Sequence, residues 1–218
     1  MSLVGGADAS ASTLGGDPAQ VCDRAARRAA QEVGVPFDVL RAITRTETGR
    51  TRGGAMQPWP WTVNMEGHGV WFDTEDQAQV YVYRHFREGA RSFDVGCFQI
   101  NYKWHGTAFS SIEEMFDPVK NARYAAQFLR KLHAELGGWD RAVGAYHSRT
   151  HAYAQRYLEK YQSVRVNLPE DRGEEIVSRN SLAGFPLLNA QSGGGTRGSL
   201  VPLGGTGVGS LLAPANGG

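Results

Sequence analysis

Glu47 is the carboxyl whose surroundings in the sequence most favour acid–base chemistry. It lies in the last turn of a short segment with helical periodicity, residues 36–49, and a loop containing Trp59, Trp61 and Trp71 follows it. A carboxyl packed against aromatic side chains can have its pKa raised by several units, which makes it a general acid near neutral pH. The alternative is an ordinary solvated glutamate, because the helix dipole alone changes the free energy of ionisation by only about 0.3 to 1 kcal/mol.

Other carboxyls are available for the second role that glycoside hydrolysis usually requires, as nucleophile or as base for water. Glu66, Asp73, Asp94 and Glu113 all lie within the same part of the chain, so their number selects none of them. Asp94 precedes a valine and a glycine, and we predict that it caps a helix rather than takes part in catalysis.

Two amides, Gln99 and Asn101, lie in the apolar segment 94–101. Their donors and acceptors suit the recognition of sugar hydroxyl and N-acetyl groups. Residues two apart do not share a face of a helix, so the chain must turn here if both reach one ligand. The alternative is that Asn101 caps a helix while Gln99 is exposed.

Tyr146 can donate a hydrogen bond to a carboxylate or a substrate, or it is a core tyrosine with its hydroxyl at the surface. The neighbouring His147 and His151 have the spacing of half a metal site, but no further ligand motif accompanies them, and we expect no metal and no cofactor. Three further tyrosines form a helical stripe that we attribute to packing: Tyr153, Tyr157 and Tyr161.

Cys22 and Cys97 are the two cysteines of the chain. A disulfide between them requires that their two segments touch. Closing this loop would stabilise the fold by roughly 4 kcal/mol and would suit an oxidising compartment. Two buried free thiols are the competing interpretation.

Helix signals dominate the secondary structure that must position these residues. Asp17 with Pro18, Thr74 with Gln77, and Asp117 precede periodic apolar segments as N-caps. We predict seven or eight helices, at residues 18–33, 36–49, 74–88, 97–104, 111–116, 118–136, 139–148 and 151–163, and at most one hairpin, within residues 50–72, with 70–72 as the return strand. The fold class is therefore mainly α.

The composition of the chain predicts its domain boundaries and argues against nucleic-acid binding and a membrane span. For the 218 residues we predict a flexible N-terminal segment at 1–17, a folded domain at 18–168 and a Gly-rich, disordered C-terminal tail at 169–218. The sequence has 11 glycines and one charge after residue 180. A net charge of +1 without basic runs argues against nucleic-acid binding. No apolar stretch is long enough for a transmembrane segment, so we expect a soluble chain whose export signal, if any, has been removed.

The order of three motifs resembles that of the soluble lytic transglycosylases, a family with a goose-lysozyme-like fold. The motifs are Arg-Ala-Ile-Thr-Arg-Thr-Glu-Thr-Gly at residues 41–49, Gly-Cys-Phe-Gln-Ile-Asn at 96–101 and Ala-Tyr-His at 145–147. The resemblance extends over residues 21–161. The segment Pro-Trp-Pro-Trp-Thr-Val-Asn at 58–64 is similar to the alphaproteobacterial, flagellum-associated branch of that family.

This resemblance implies a lysozyme-like helical domain with a small β-hairpin insertion, and cleavage of the β-1,4 bond between N-acetylmuramic acid and N-acetylglucosamine in peptidoglycan. Glu47 would protonate the leaving oxygen and then, as a carboxylate, take the proton of the C6 hydroxyl, which gives a 1,6-anhydro product. The substrate's own N-acetyl group would stabilise C1. Gln99 and Asn101 would position the sugar, and Tyr146 would hold Glu47.

The resemblance also implies roles for Thr48, which stands where the family usually has serine, and for Trp61 in the loop that would pack on sugar faces. His147 and the two residues after it replace Asn-Ala-Gly, so the contact of that asparagine is not carried over. A periplasmic location follows, with a flagellar rod or secretion-system protein as a partner bound through the C-terminal tail. The alternatives are a hydrolytic lysozyme of the same fold and a non-catalytic wall-binding adaptor.

Overall fold

Helices make up most of the structure, a computed structural model that describes residues 17–169 and 171. They are α1 (Pro18–Val33), α2 (Phe37–Thr48), α3 (Glu75–Arg87), α4 (Tyr102–His105), α5 (Ile112–Phe116), α6 (Pro118–Leu136), α7 (Trp139–His147) and α8 (His151–Val166). The prediction of a mainly α fold is confirmed. Most of the predicted tail, and the N-terminal segment before residue 17, lie outside the described residues.

The predicted caps define the ends of the main helices. The Asp17 carboxylate accepts a hydrogen bond from the backbone of α1, and Gly34 ends that helix in the left-handed region, with φ of 79°. Thr74 caps α3, and Asp117 accepts from two backbone N–H groups at the start of α6. These contacts satisfy N–H groups that the helices themselves leave without partners.

The core lies between α1 and α6, which pack against each other through small side chains. Cys22, Ala25, Ala26 and Ala29 of α1 are buried there. The facing side of α6 contributes its own buried apolar residues, Ala122, Ala125, Ala126, Leu129 and Leu132. None of the helices in the described part of the chain combines the length and the apolar composition that a membrane span requires.

Strands occupy more of the chain than the sequence predicted. A hairpin of β1 (Arg50–Arg52) and β2 (Ala55–Gln57) forms where we expected a loop. The predicted hairpin is present as β3 (Thr62–Met65) and β4 (His68–Trp71), so its return strand begins two residues earlier than expected. The prediction of at most one hairpin was therefore wrong.

The predicted helix within 94–104 was also wrong over most of its length. Residues Phe93–Val95 form β5 and Ile100–Asn101 form β6, and a four-stranded antiparallel sheet has the order β4-β3-β5-β6. Only the short α4 is helical here. The turn between the strands uses Gly96 at φ of 82° and Gln99 at φ of 47°, both in the left-handed region.

Asn121 of α6 holds this turn in place. Its Nδ2 donates to the carbonyl oxygens of Val95 and Met115, and its Oδ1 accepts from the Phe98 N–H. A Cβ at Gly96 would lie 2.6 Å from Asn121 Nδ2, so the close approach requires glycine. The turn between β5 and β6 forms because β5 pairs with β3 and because the buried Asn121 amide binds its backbone. Local periodicity in the sequence could not reveal either contact.

Cys22 and Cys97 form a disulfide, with their Cα atoms 5.6 Å apart. The bond joins α1 to the turn between β5 and β6. The interpretation as two free thiols is excluded for this structure, and the predicted pairing is confirmed.

Candidate active site

A groove of about 660 Å³ runs between the C-terminal end of α2 and the four-stranded sheet. Its walls include Glu47, Asp94, Gln99, Asn101 and Tyr146. The structure therefore brings together four residues predicted from three separate motifs, together with Asp94, which we had assigned to a cap.

Glu47 reaches the groove from the last turn of α2, half-buried, with Tyr157 of α8 donating its hydroxyl hydrogen to Glu47 Oε1 at 2.5 Å. The pKa of Glu47 is raised to about 7, chiefly by burial and to a smaller extent by the negative charge of Asp94. The Tyr157 hydrogen bond and the positive charge of Lys160 oppose this rise. Near neutral pH, Glu47 is therefore present in both protonation states, as a general acid that later acts as a base requires.

Lys160 is fixed beside Glu47 because its Nζ donates to the Thr46 carbonyl oxygen at 2.6 Å. This ammonium also satisfies a carbonyl at the C-terminal end of α2, where the helix dipole favours positive charge. Glu47 thus lies at a helix end that is held in place by two side chains of α8.

Tyr146 does not hold Glu47. Its hydroxyl donates instead to the Phe98 carbonyl oxygen at 2.7 Å, within the turn between β5 and β6. Tyr157, which we had assigned to packing, makes the expected contact, and the His147 ring stacks on it with centroids 4.5 Å apart. The acid is therefore positioned by α8, a contact that no local signal indicated.

Asp94 is not a helix cap. It lies in β5, where its Oδ2 accepts from Asn64 Nδ2 at 2.9 Å and its Oδ1 accepts from Asn101 Nδ2 at 2.7 Å. Burial raises the pKa of Asp94, while these two hydrogen bonds lower it. The groove therefore contains a second carboxyl with a different environment from that of Glu47.

The two predicted amides line the groove, and both make hydrogen bonds to other groups of the protein. Gln99 Nε2 donates to the carbonyl oxygens of Thr62 and Gly96, both at 3.0 Å. Asn101 donates to Asp94 and accepts the Trp104 N–H, so it does cap α4. Both amides give the groove a rigid wall, and their contact with a sugar stays a prediction.

Thr48 cannot contact a substrate in this structure. It is fully buried, and its hydroxyl donates to the Thr44 carbonyl oxygen and accepts the Trp59 N–H. It supports the end of α2, which corrects the binding role inferred from the resemblance.

Trp61 packs against the core and is not part of the groove lining, which corrects its expected place on a sugar face. Trp71 and Trp104 line the groove instead, with 46% and 72% of their surfaces exposed. The Trp71 indole N–H donates to the Thr48 carbonyl oxygen at 3.1 Å, which fixes this ring near Glu47. Both indoles therefore present exposed aromatic surface in the groove.

Within residues 17–169 and 171, no three or more histidine, cysteine, aspartate or glutamate side chains are grouped as a metal ion would require. The side chains that line the groove carry carboxyl, phenol, amide, indole, imidazole, hydroxyl and ammonium groups.

Sequence comparison matches residues 75–164 to the family described as the Transglycosylase SLT domain. The matched range contains Asp94, Gln99, Asn101, Tyr146 and Tyr157, whereas Glu47 precedes it. The chain has no significant match among curated proteins or solved structures. The family match supports a lytic transglycosylase, with peptidoglycan as its substrate and a lyase-type reaction.

Proposed function

We propose that this protein is a peptidoglycan lytic transglycosylase that cleaves the β-1,4 bond between N-acetylmuramic acid and N-acetylglucosamine and releases 1,6-anhydro-muropeptides. The observation that carries the proposal is Glu47, a carboxyl with a pKa of about 7, held by Tyr157 on the wall of an open groove. The family match supports the same reaction class.

Protonated Glu47 gives its proton to the glycosidic oxygen as the bond from C1 of the muramic acid to that oxygen breaks. The resulting Glu47 carboxylate then takes the proton of the C6 hydroxyl, and O6 bonds to C1. One residue serves both steps because the first step leaves it in the form that the second requires. The pKa of about 7 keeps either form within reach at neutral pH.

The groove walls fit a glycan strand. The exposed indoles of Trp71 and Trp104 offer flat apolar surfaces for the faces of sugar rings. Gln99 and Asn101 present polar groups that are already held in place by hydrogen bonds. We propose that these amides, with the half-buried Tyr146 beside them, position the sugar at the bond to be cleaved.

The test is mass spectrometry of the muropeptides released from purified peptidoglycan by the full chain. We expect anhydro products from the wild type and none from Glu47→Gln. Glu159→Gln, a carboxyl-to-amide change at an exposed position of α8, is the matched control and should keep full activity. Reducing-end products, heavier by one water, would instead identify a hydrolytic lysozyme. A wild type that releases nothing would identify a non-catalytic adaptor.

We further propose that the enzyme acts in the periplasm and opens the wall locally for a flagellar or secretion-system assembly. The Cys22–Cys97 disulfide supports an oxidising compartment, and the similarity of residues 58–64 to the flagellum-associated branch supports the assembly role. The proposed docking segment, residues 181–218, lies outside the described residues. If its deletion leaves binding to purified flagellar rod or secretion-system proteins unchanged, the docking proposal is wrong.

A further inference from the structure

We infer that Asp94 is a second catalytic carboxylate, which stabilises the positive charge that develops at C1 of the sugar while Glu47 protonates the leaving oxygen. The inference rests on the proposed function, since it assigns a residue to the same bond cleavage. The geometry that points to it is the position of Asp94 in the sheet and the pair of amides that hold its two oxygens.

Asp94 lies in β5, between the two strands that provide its partners. Asn64 of β3 and Asn101 of β6 are its directly paired neighbours on either side. Each donates one amide hydrogen to a different carboxylate oxygen, at 2.9 and 2.7 Å. Side chains that face one another across paired strands constrain one another, so this carboxylate is fixed on the groove wall.

The two carboxyls of the groove have different hydrogen-bond partners. Burial favours the neutral form of Glu47, and the phenol of Tyr157 opposes this effect with a single hydrogen bond. Burial also raises the pKa of Asp94, but this carboxyl accepts two amide hydrogen bonds, which act against the rise. The charge of Asp94 also raises the pKa of Glu47, so the two groups interact electrostatically. A phenol holds the first carboxyl by one oxygen and two amides hold the second by both, and a pair of carboxyls in one groove is the arrangement that glycosidic bond cleavage commonly uses.

The step is balanced without any further reactant. The bond from C1 to the glycosidic oxygen breaks, its electron pair stays on that oxygen, and the oxygen takes the proton of Glu47. The charge left on C1 and the ring oxygen lies in the field of the Asp94 carboxylate, which exchanges no proton in either step. When O6 attacks C1, the Glu47 carboxylate takes the proton of the O6 hydroxyl, and the positive charge at C1 disappears.

The test is Asp94→Asn, with Asp76→Asn as the control at an exposed position of α3. The variant should fold, because Asn64 Oδ1 has no partner and can accept from the new amide if the Asn64 side chain turns over. We expect kcat for anhydro-product formation to fall about 10²-fold, the usual effect of removing one charge-stabilising group. KM should change little, and the basic limb of the pH–rate profile should move to lower pH, since the charge that raises the Glu47 pKa is gone.

Binding of an N-acetylglucosamine oligomer, followed by tryptophan fluorescence, shows whether the groove of the variant is intact. A variant that binds normally but keeps kcat within about threefold of the wild type overturns the inference and leaves the substrate's N-acetyl group as the stabiliser of C1. A fall in kcat that comes entirely from lost binding overturns it as well. If Asp94→Asn does not fold, Asp94→Ser replaces it under the same criteria. Failure of the proposed function itself would appear separately, as a wild type without anhydro products.

Discussion

Glu47→Gln should stabilise the folded protein at alkaline pH and have little effect at acidic pH. The pKa of Glu47 rises from 4.5 to about 7 on folding, mainly because the carboxyl is buried. Between these values the folded state holds a proton that the unfolded state has released, so the free energy of unfolding falls as the pH rises. At 1.36 kcal/mol per pKa unit, the wild type loses about 3 kcal/mol between pH 4 and pH 8 through this group. Glutamine cannot ionise, so the variant avoids this loss.

The measurement is chemical denaturation of both proteins, with the disulfide intact, at several values between pH 4 and pH 8. The difference in unfolding free energy should grow with pH by about 3 kcal/mol in favour of the variant. Glu135→Gln provides a contrast, because Arg149 lowers the pKa of Glu135 and this variant should lose stability relative to the wild type as the pH rises. A Glu47→Gln difference that does not depend on pH would show that Glu47 is ionised at neutral pH, and the argument for a general acid would fail.

Three further changes test the architecture around the groove. Tyr157→Phe removes the hydrogen bond that lowers the Glu47 pKa, so the basic limb of the pH–rate profile should move to higher pH. We also expect kcat to fall about tenfold, because a hydrogen bond to a charged group contributes roughly 1.5–3 kcal/mol. Asn121→Ala removes the side chain that bonds to three buried backbone groups, so the free energy of unfolding should fall by about 3 kcal/mol or more in denaturation experiments. A loss below about 1 kcal/mol would show that the turn does not depend on this amide. Replacement of Cys22 and Cys97 by alanine should cost about 4 kcal/mol in the same assay, and an unchanged midpoint would contradict the loop-entropy argument.

Helices whose signals are local could be predicted from the sequence. Asp17, Thr74 and Asp117 occupy the N-caps that their residue types indicated, and the apolar spacing of α1 and α6 gave the faces that meet in the core. These features depend on residues within a few positions of one another. The position of Glu47 near the end of α2 follows from the same kind of local evidence.

The sheet and the partners of the acid could not be predicted in this way. The segment containing Gln99 has apolar residues that suit a helix, but pairing with β3 and the amide of Asn121 make it a turn between strands. Tyr157 lies 110 residues from Glu47 in the sequence, so only the packing of α8 on α2 reveals their contact. Trp71 reaches the groove and Trp61 does not. Trp71 lies on β4, which pairs with β3, and Asn64 of β3 lines the same groove.

The two carboxyls of the groove are held by different elements of the fold. The acid depends on helices, because α8 supplies the phenol that binds Glu47 and the ammonium that binds the end of α2. Asp94 depends on the sheet, whose turn is held by Asn121 and is joined to α1 by the disulfide at Cys97. Since α1 packs against both α2 and α6, it links the helical part to the sheet. The distance between the two carboxyls is therefore set by the core rather than by either local motif, and a carboxyl count along the sequence could not distinguish Asp94 from its neighbours.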